Sequence, residues 1–188
     1  MRVIAGFFKG KKILEPKDAN TRPLKDLTKE SIFNIIQHSN KFEIDLKKSN
    51  ILDLFSGVGS FGIECLSRGA KNVIFVENYN KVLRILRKNL INLKTVENYQ
   101  IIESDINKTN IFSILNKKFN IIFLDPPYKD KNLENLLNDI YKSKILFKKS
   151  VVIIHRHKNE KDDFPKQYKI IDEKKYGISK IIFLSILD

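Results

Sequence analysis

The chain has 188 residues, 42% hydrophobic and 30% charged, which suits one domain with a sizeable core and excludes general disorder. Its apolar runs, such as Ile121–Leu124, fall far short of the roughly 20 residues of a membrane span, and no apolar stretch follows Arg2 to form a signal peptide. Lys and Arg number 35 against 22 Asp and Glu, a net charge of +13 that attracts polyanions and suggests nucleic acid, although compositional drift toward Lys, Ile and Asn would give the same excess.

In chain order, Arg2–Phe8 and Lys11–Leu14 around Lys9–Gly10 read as a short β-hairpin with a glycine-bearing turn. The first fourteen residues are purely basic through Arg2, Lys9, Lys11 and Lys12, whereas elsewhere the excess charge is spread evenly. A loop with Pro16 and Thr21–Arg22–Pro23 follows. Leu24, Leu27, Ile32, Ile35 and Ile36 then predict an amphipathic helix ending near His38. Residues 39–50 are a polar connector. Ile51–Phe55 reads as a buried strand, and Phe61–Ser67 as a helix closed by Gly69. That helix holds Cys65, the sole cysteine, so a disulfide framework is excluded; three histidines with only His155 and His157 close together give no zinc pattern.

Asn72–Glu77 is a second strand, and Asn80 caps a helix with Val82, Leu83, Leu86, Leu90 and Leu93 on one face. Tyr99–Glu103 is a third strand, residues 109–117 a helix, and Phe119–Leu124 a fourth, nearly all-apolar strand. Residues 131–142 read as helix and Val151–His155 as a fifth strand, and 167–173 with 180–186 form a closing antiparallel hairpin. Buried strands alternating with helices predict an α/β fold: a mostly parallel sheet with helices on both faces. Residues 1–48 read as an N-terminal extension to a core at 49–188.

Between the first core strand and its helix, Gly57, Gly59 and Gly62 fit G-x-G-x-x-G, with Glu77 at the end of the next strand. This loop is compatible with NAD, FAD or S-adenosylmethionine. Asp53 at the loop entrance would repel a pyrophosphate but suits a ligand with an ammonium and a cationic sulfur. Asp105, just past the third strand, is placed to accept from an adenine amino group, although each of these acids could equally be a helix cap. Asp125–Pro126–Pro127–Tyr128 after the fourth strand is the most specific signal. Its prolines fix the backbone so that the Asp125 carboxylate and the Pro126 carbonyl face one site, two acceptors for an exocyclic NH₂, while Tyr128 offers a stacking face.

The strand–glycine loop with D-P-P-Y resembles the class I S-adenosylmethionine-dependent amino-methyltransferases. Met1–Gly6, Thr21–Arg22–Pro23, Lys29–Glu30, Phe33–Asn34, Leu66–Ala70, Phe123–Tyr128 and Lys174–Gly177 together resemble the bacterial 16S rRNA guanine-N2 methyltransferases of the RsmD type, over essentially the whole chain. The resemblance implies a Rossmann-like class I fold, S-adenosylmethionine as methyl donor and a guanine N2 in 16S rRNA as acceptor. It places Asp53, Phe55, Gly57, Gly59, Glu77, Asn78 and Asp105 at the cofactor and Asp125, Pro126, Pro127 and Tyr128 at the chemistry. The basic residues Arg2, Lys9, Lys11, Lys12 and Arg22 are the candidate RNA contacts. The implied partner is 16S rRNA, free or in an assembling small subunit. The expected protein is a cytoplasmic monomer without membrane contact or metal.

The chain departs from the family pattern at His155–Arg156, where an acidic residue is common, and at Ile178–Ser179, where an acidic or amide residue precedes threonine. Alternative readings fit less well. An adenine-N6 DNA or RNA methyltransferase could use D-P-P-Y but normally carries an extra target-reading region; a glutamine-N5 enzyme would show N-P-P-Y. Cys65 is not preceded by proline, against a cytosine-C5 enzyme with its thiolate nucleophile. An NAD oxidoreductase, or a non-enzymatic basic nucleotide-binding module, has no use for Asp125–Tyr128.

Overall fold

Among the described residues, seven strands form one sheet: β1 (Asn50–Leu54), β2 (Asn72–Glu77), β3 (Tyr99–Glu103), β4 (Phe119–Leu124), β5 (Leu146–His157), β6 (Tyr168–Tyr176) and β7 (Ser179–Ile186). The structure, a computed structural model, describes residues 1–16, 24–127 and 130–187. Strand order is β3-β2-β1-β4-β5-β7-β6, with β1 to β5 parallel and β7 inserted antiparallel between β5 and β6. Helices α1 (Asp26–His38), α2 (Ser60–Ser67), α3 (Asn80–Ile91) and α4 (Leu133–Lys142) connect and cover it.

Because side chains alternate along a strand, two interleaved sets of apolar residues make the two faces. Ile51, Phe75, Ile121, Phe123, Ile153 and Phe183 share a core with α1, α2 and α3; Leu52, Leu54, Ile122, Leu124, Ile154 and Leu184 share one with α4. Phe61 of α2 stacks between Phe123 of β4, at 4.1 Å, and Phe33 of α1, at 5.3 Å. Such ring pairs contribute about 0.5–1.5 kcal/mol each beyond area burial.

The N-terminal segment enters this first core through Val3, Ile13, Ile32, Phe33 and Ile36. Its backbone is tied to α2: Ile4 N and Ala5 N donate to the Glu64 carboxylate at 2.7 and 2.9 Å, and Phe7 N donates to Ser67 O at 2.8 Å. Glu64 is fully buried and also accepts from Arg68 Nε at 2.9 Å. Lys29, equally buried, donates to Arg2 O at 2.7 Å and lies 3.8 Å from Glu64. Burial holds the Lys29 ammonium below the usual lysine range, against the opposing pull of Glu64 and Asp26.

Several elements differ from the sequence expectations. The N-terminal hairpin reduces to one antiparallel bridge, Arg2 with Lys12, because residues 5–10 are spent on turns, with Gly6 and Gly10 both at positive φ. The helix expected at 109–117 is a 3-10 turn, Ile111–Ile114: Ile111 and Phe112 are fully in the core, Leu115 is partly buried and Ile114 is exposed. β5 begins at Leu146 rather than Val151, with a register shift opposite Phe119 and Ile121. Asn80 lies inside α3; Tyr79 is the cap position, and the Glu77 carboxylate accepts the Asn78 and Tyr79 N–H groups just ahead of it, both at 2.9 Å.

Candidate active site

Strand order reverses between β1 and β4, which opens a crevice beyond their carboxyl ends. The glycine loop leaves β1 at this point and the Asp125 motif leaves β4 beside it, with Asp125 N donating to Leu54 O at 3.3 Å. In the loop, Phe55 and Gly57 take positive φ, +56° and +54°. A non-glycine residue there stores strain of the kind found at binding loops. Among the described residues no atom lies within 4 Å of a Cβ built on Gly57, so backbone can approach a ligand there. A side chain on Gly59 would meet Leu86 Cδ1 at 2.5 Å, and one on Gly62 would meet Phe75 Cε1 at 2.3 Å. Those two glycines let α2 press against its neighbours. Ser56 Oγ, buried within the loop, has no hydrogen-bond partner among the described residues.

Four carboxylates end four successive strands. Asp53, in phase with Ile51, points under α2 and accepts from Gly62 N at 2.9 Å; it is 1% exposed. Glu77 accepts from Gly57 N at 2.9 Å besides Asn78 N and Tyr79 N, which leaves it capacity for another donor. Asn78 itself is exposed. Half-buried Asp105 accepts from Asn107 N at 3.1 Å and lies 3.3 Å from Lys108 Nζ. Asn107 in turn donates to Asp130 Oδ2 at 3.0 Å, which links the β3 loop to the segment beyond the proline motif.

Burial, opposed by the Gly62 N–H and reinforced by Asp125 and Glu77, pushes the Asp53 carboxyl well above the usual carboxylate range. A carboxyl raised on folding binds more protons in the folded than in the unfolded chain. Its contribution to stability therefore falls as pH rises from about 4 through the folded value. Asp53→Asn keeps the shape and removes the charge, so its melting temperature should exceed the parent's at pH 8, with the gap closing toward pH 4. Thermal melts across that range test this; a gap that does not change with pH would show that ionising Asp53 costs the fold nothing.

Asp125 is half-buried, Pro126 buried and Pro127 exposed. The register pairs Leu124 with Ile154, so Asp125 comes next to His155, and His155 Nδ1 lies 2.9 Å from Asp125 Oδ1. The other ring nitrogen, Nε2, is 2.9 Å from Ser179 Oγ on β7. Arg156, facing the opposite side of β5 and 3% exposed, donates to Pro127 O at 3.3 Å, to Asp130 O at 3.1 Å and to Asp162 Oδ1 at 2.9 Å. The Arg156 guanidinium thus holds the backbone on either side of residues 128–129. From the sequence His155, Arg156 and Ser179 register only as departures from a family pattern. Strand phase is the signal that finds them, because His155 and Ser179 share the parity of Ile153 and Ile181, on the face that carries Asp53 and Asp125.

Tyr128 and Arg22 lie outside the described residues. Of the other basic candidates Arg2, Lys9 and Lys12 are exposed, whereas Lys11 is half-buried, donates to Asn92 O and sits 5.6 Å over the Phe8 ring. They lie on the N-terminal segment. Phe7, in the same turn region, is 85% exposed.

The family model described as conserved hypothetical protein 95 matches residues 1–185. A putative rRNA methyltransferase, YlbH, of Bacillus subtilis is 38% identical over 138 residues, 73% of this chain and 72% of its own. Ribosomal RNA small subunit methyltransferase D of Haemophilus influenzae is 29% identical over 182 residues, 95% of this chain and 90% of its own. Among solved structures, the putative methyltransferase yhhF from Escherichia coli superposes with a TM-score of 0.77 at 26% identity, covering 98% of this chain and 96% of that one.

Proposed function

This chain belongs to the RsmD family of ribosomal RNA small subunit methyltransferases, the family described as conserved hypothetical protein 95, and from that premise we propose that it methylates the exocyclic N2 of a guanine in 16S rRNA with S-adenosylmethionine. The observation that carries the reading is the Asp125–Pro126 pair at the switch point, beside the glycine loop and Asp53.

The crevice fits a cationic donor. Asp53, Glu77, Asp105 and Asp125 line the strand ends of a protein that is otherwise strongly basic, and Ser56 Oγ offers a polar atom with no partner among the described residues. Glu77 would take the ribose hydroxyls, with Asn78 beside it, Asp105 the adenine amino group, and Phe55, Gly57 and Gly59 the wall of the loop. Bound there, S-adenosylmethionine supplies a methyl group on a sulfonium, which keeps the C–S bonding electrons when the methyl leaves.

The protein's task is to make a poor nucleophile attack. The N2 lone pair of guanine is delocalised into the ring. Hydrogen bonds from both N2 hydrogens, one to the Asp125 carboxylate and one to the Pro126 carbonyl, draw the nitrogen toward tetrahedral geometry and aim its lone pair. The proton left over on nitrogen after the new N–C bond forms passes to Asp125 or to water. Pro127 holds the turn, and Tyr128 provides the face on which the base stacks once it leaves its own stack. Arg2, Lys9, Lys11, Lys12 and Arg22 grip the RNA backbone.

The test is methyl transfer from labelled S-adenosylmethionine to 16S rRNA of a strain deleted for this gene, both as naked RNA and as small-subunit particles. Nucleoside analysis should return N2-methylguanosine. N6-methyladenosine would overturn the base assignment while leaving the fold and donor in place.

A further inference from the structure

His155 and Ser179, two positions where the chain departs from its family pattern, touch each other and one of them touches Asp125. Resting on the reading of Asp125 as the carboxylate that holds the acceptor amine, we propose that His155, braced by Ser179, is the positioning residue of Asp125. It holds Oδ1 and leaves the second oxygen for the amine.

The geometry is specific. An ionised carboxylate only accepts, so the Nδ1 of His155, 2.9 Å from Asp125 Oδ1, carries the hydrogen. The far nitrogen meets Ser179 Oγ at 2.9 Å, which the hydroxyl serves as donor to a neutral ring or acceptor from a charged one. The side chain is 6% exposed, at the end of β5 between Asp125 on one side and β7 on the other. A buried imidazole with a directed bond on each nitrogen has one orientation, and so does the carboxylate it holds. An acidic side chain at this position would set carboxylate against carboxylate. Histidine replaces that repulsion with a donor in this chain. Asp53 also feels the charge of Asp125, but it lies under α2 with its own donor, so it does not compete for the imidazole.

Three variants and a spectrum test the proposal. His155→Leu removes the donor, His155→Asn places an amide N–H where Nδ1 was, and Ser179→Ala removes only the brace. With 16S rRNA from the deletion strain as acceptor, His155→Leu should lower kcat about 10- to 100-fold, the scale of a displaced reacting group. His155→Asn should recover most of the loss, and Ser179→Ala should fall between. Calorimetric affinity for S-adenosylmethionine should stay within about twofold of the parent in all three, which also reports that they fold. An unaltered kcat in His155→Leu, or His155→Asn as impaired as His155→Leu, overturns the positioning role. Since the chain has three histidines, ring signals in the ¹⁵N NMR spectrum can be assigned by substituting His38 and His157. A protected Nδ1 proton of His155 should be present in the parent and lost in Asp125→Ala. Its absence from the parent overturns the proposal whether or not rRNA is methylated, whereas a parent that shows it yet leaves 16S rRNA unmethylated refutes only the substrate reading.

Discussion

Asp125→Ala is expected to cut methyl transfer by about 10²- to 10³-fold while S-adenosylmethionine affinity changes little. Two effects combine in that loss. Alanine removes the acceptor that orients the N2 hydrogens, and it removes the negative charge that steadies nitrogen as it becomes cationic in the transition state. It also leaves the buried His155 ring without the carboxylate it meets at 2.9 Å, so part of the loss reflects a rearranged β5 end. Asp125→Asn separates these contributions. The amide retains one carbonyl acceptor for His155 or for the amine but not the charge, so it should fall between parent and alanine. Single-turnover rates at saturating S-adenosylmethionine are the measurement, because they exclude product release. A parental single-turnover rate in Asp125→Ala would end the mechanism, whatever the steady-state values.

The second large effect lies far from the chemistry. Gly6 has φ +82°, and a Cβ there would sit 1.9 Å from the carbonyl oxygen of Ser67. No side chain shift relieves a clash with backbone, so Gly6→Ala must pull the N-terminal turn off α2. That breaks Phe7 N to Ser67 O at 2.8 Å and Phe8 N to Ser67 Oγ at 3.0 Å, and it strains the paired N–H groups that Ile4 and Ala5 give to Glu64. The expected cost is roughly 3–4 kcal/mol, from two or more part-buried hydrogen bonds lost together with left-handed backbone strain. Gly10 supplies the control. Its φ is nearly the same, +83°, but among the described residues nothing lies within 4 Å of a Cβ built there. Gly10→Ala should therefore cost only about 1–2 kcal/mol. Denaturant midpoints compare the two, and equal losses would show that φ alone, not the approach to α2, sets the need for glycine at position 6.

What could be read without coordinates follows from periodicity. The apolar strands and the glycine loop are local patterns, and they place β1, β2, β3 and β4 and the starts of the crevice carboxylates within a residue or so. The ties of the N-terminal segment were not legible, because nothing local says that Lys29 and Glu64 are buried: charged residues at helical spacing read as a solvated face. Residues 109–117 looked helical from Ile111, Phe112, Ile114 and Leu115, but Ile114 is 62% exposed, so one turn suffices to bury what needs burying. His155 and Arg156 required the register of β4 with β5, a long-range fact that fixes which of two neighbouring residues faces Asp125 and which faces Pro127.

The anchorage of the N-terminus on α2 also sets an order of events during synthesis. Ile4 and Ala5 wait for a carboxylate 60 and 59 residues further along, and Leu14 for the Asn89 amide 75 residues on. At about 5–20 residues per second, the ribosome needs roughly 3–12 s to add the 60 residues from Ile4 to Glu64. Until then Ile4 and Ala5 lack the carboxylate that accepts their N–H groups. A chain stalled before Glu64 lacks that anchor altogether. The synthesis of α2 therefore limits when this basic segment can settle.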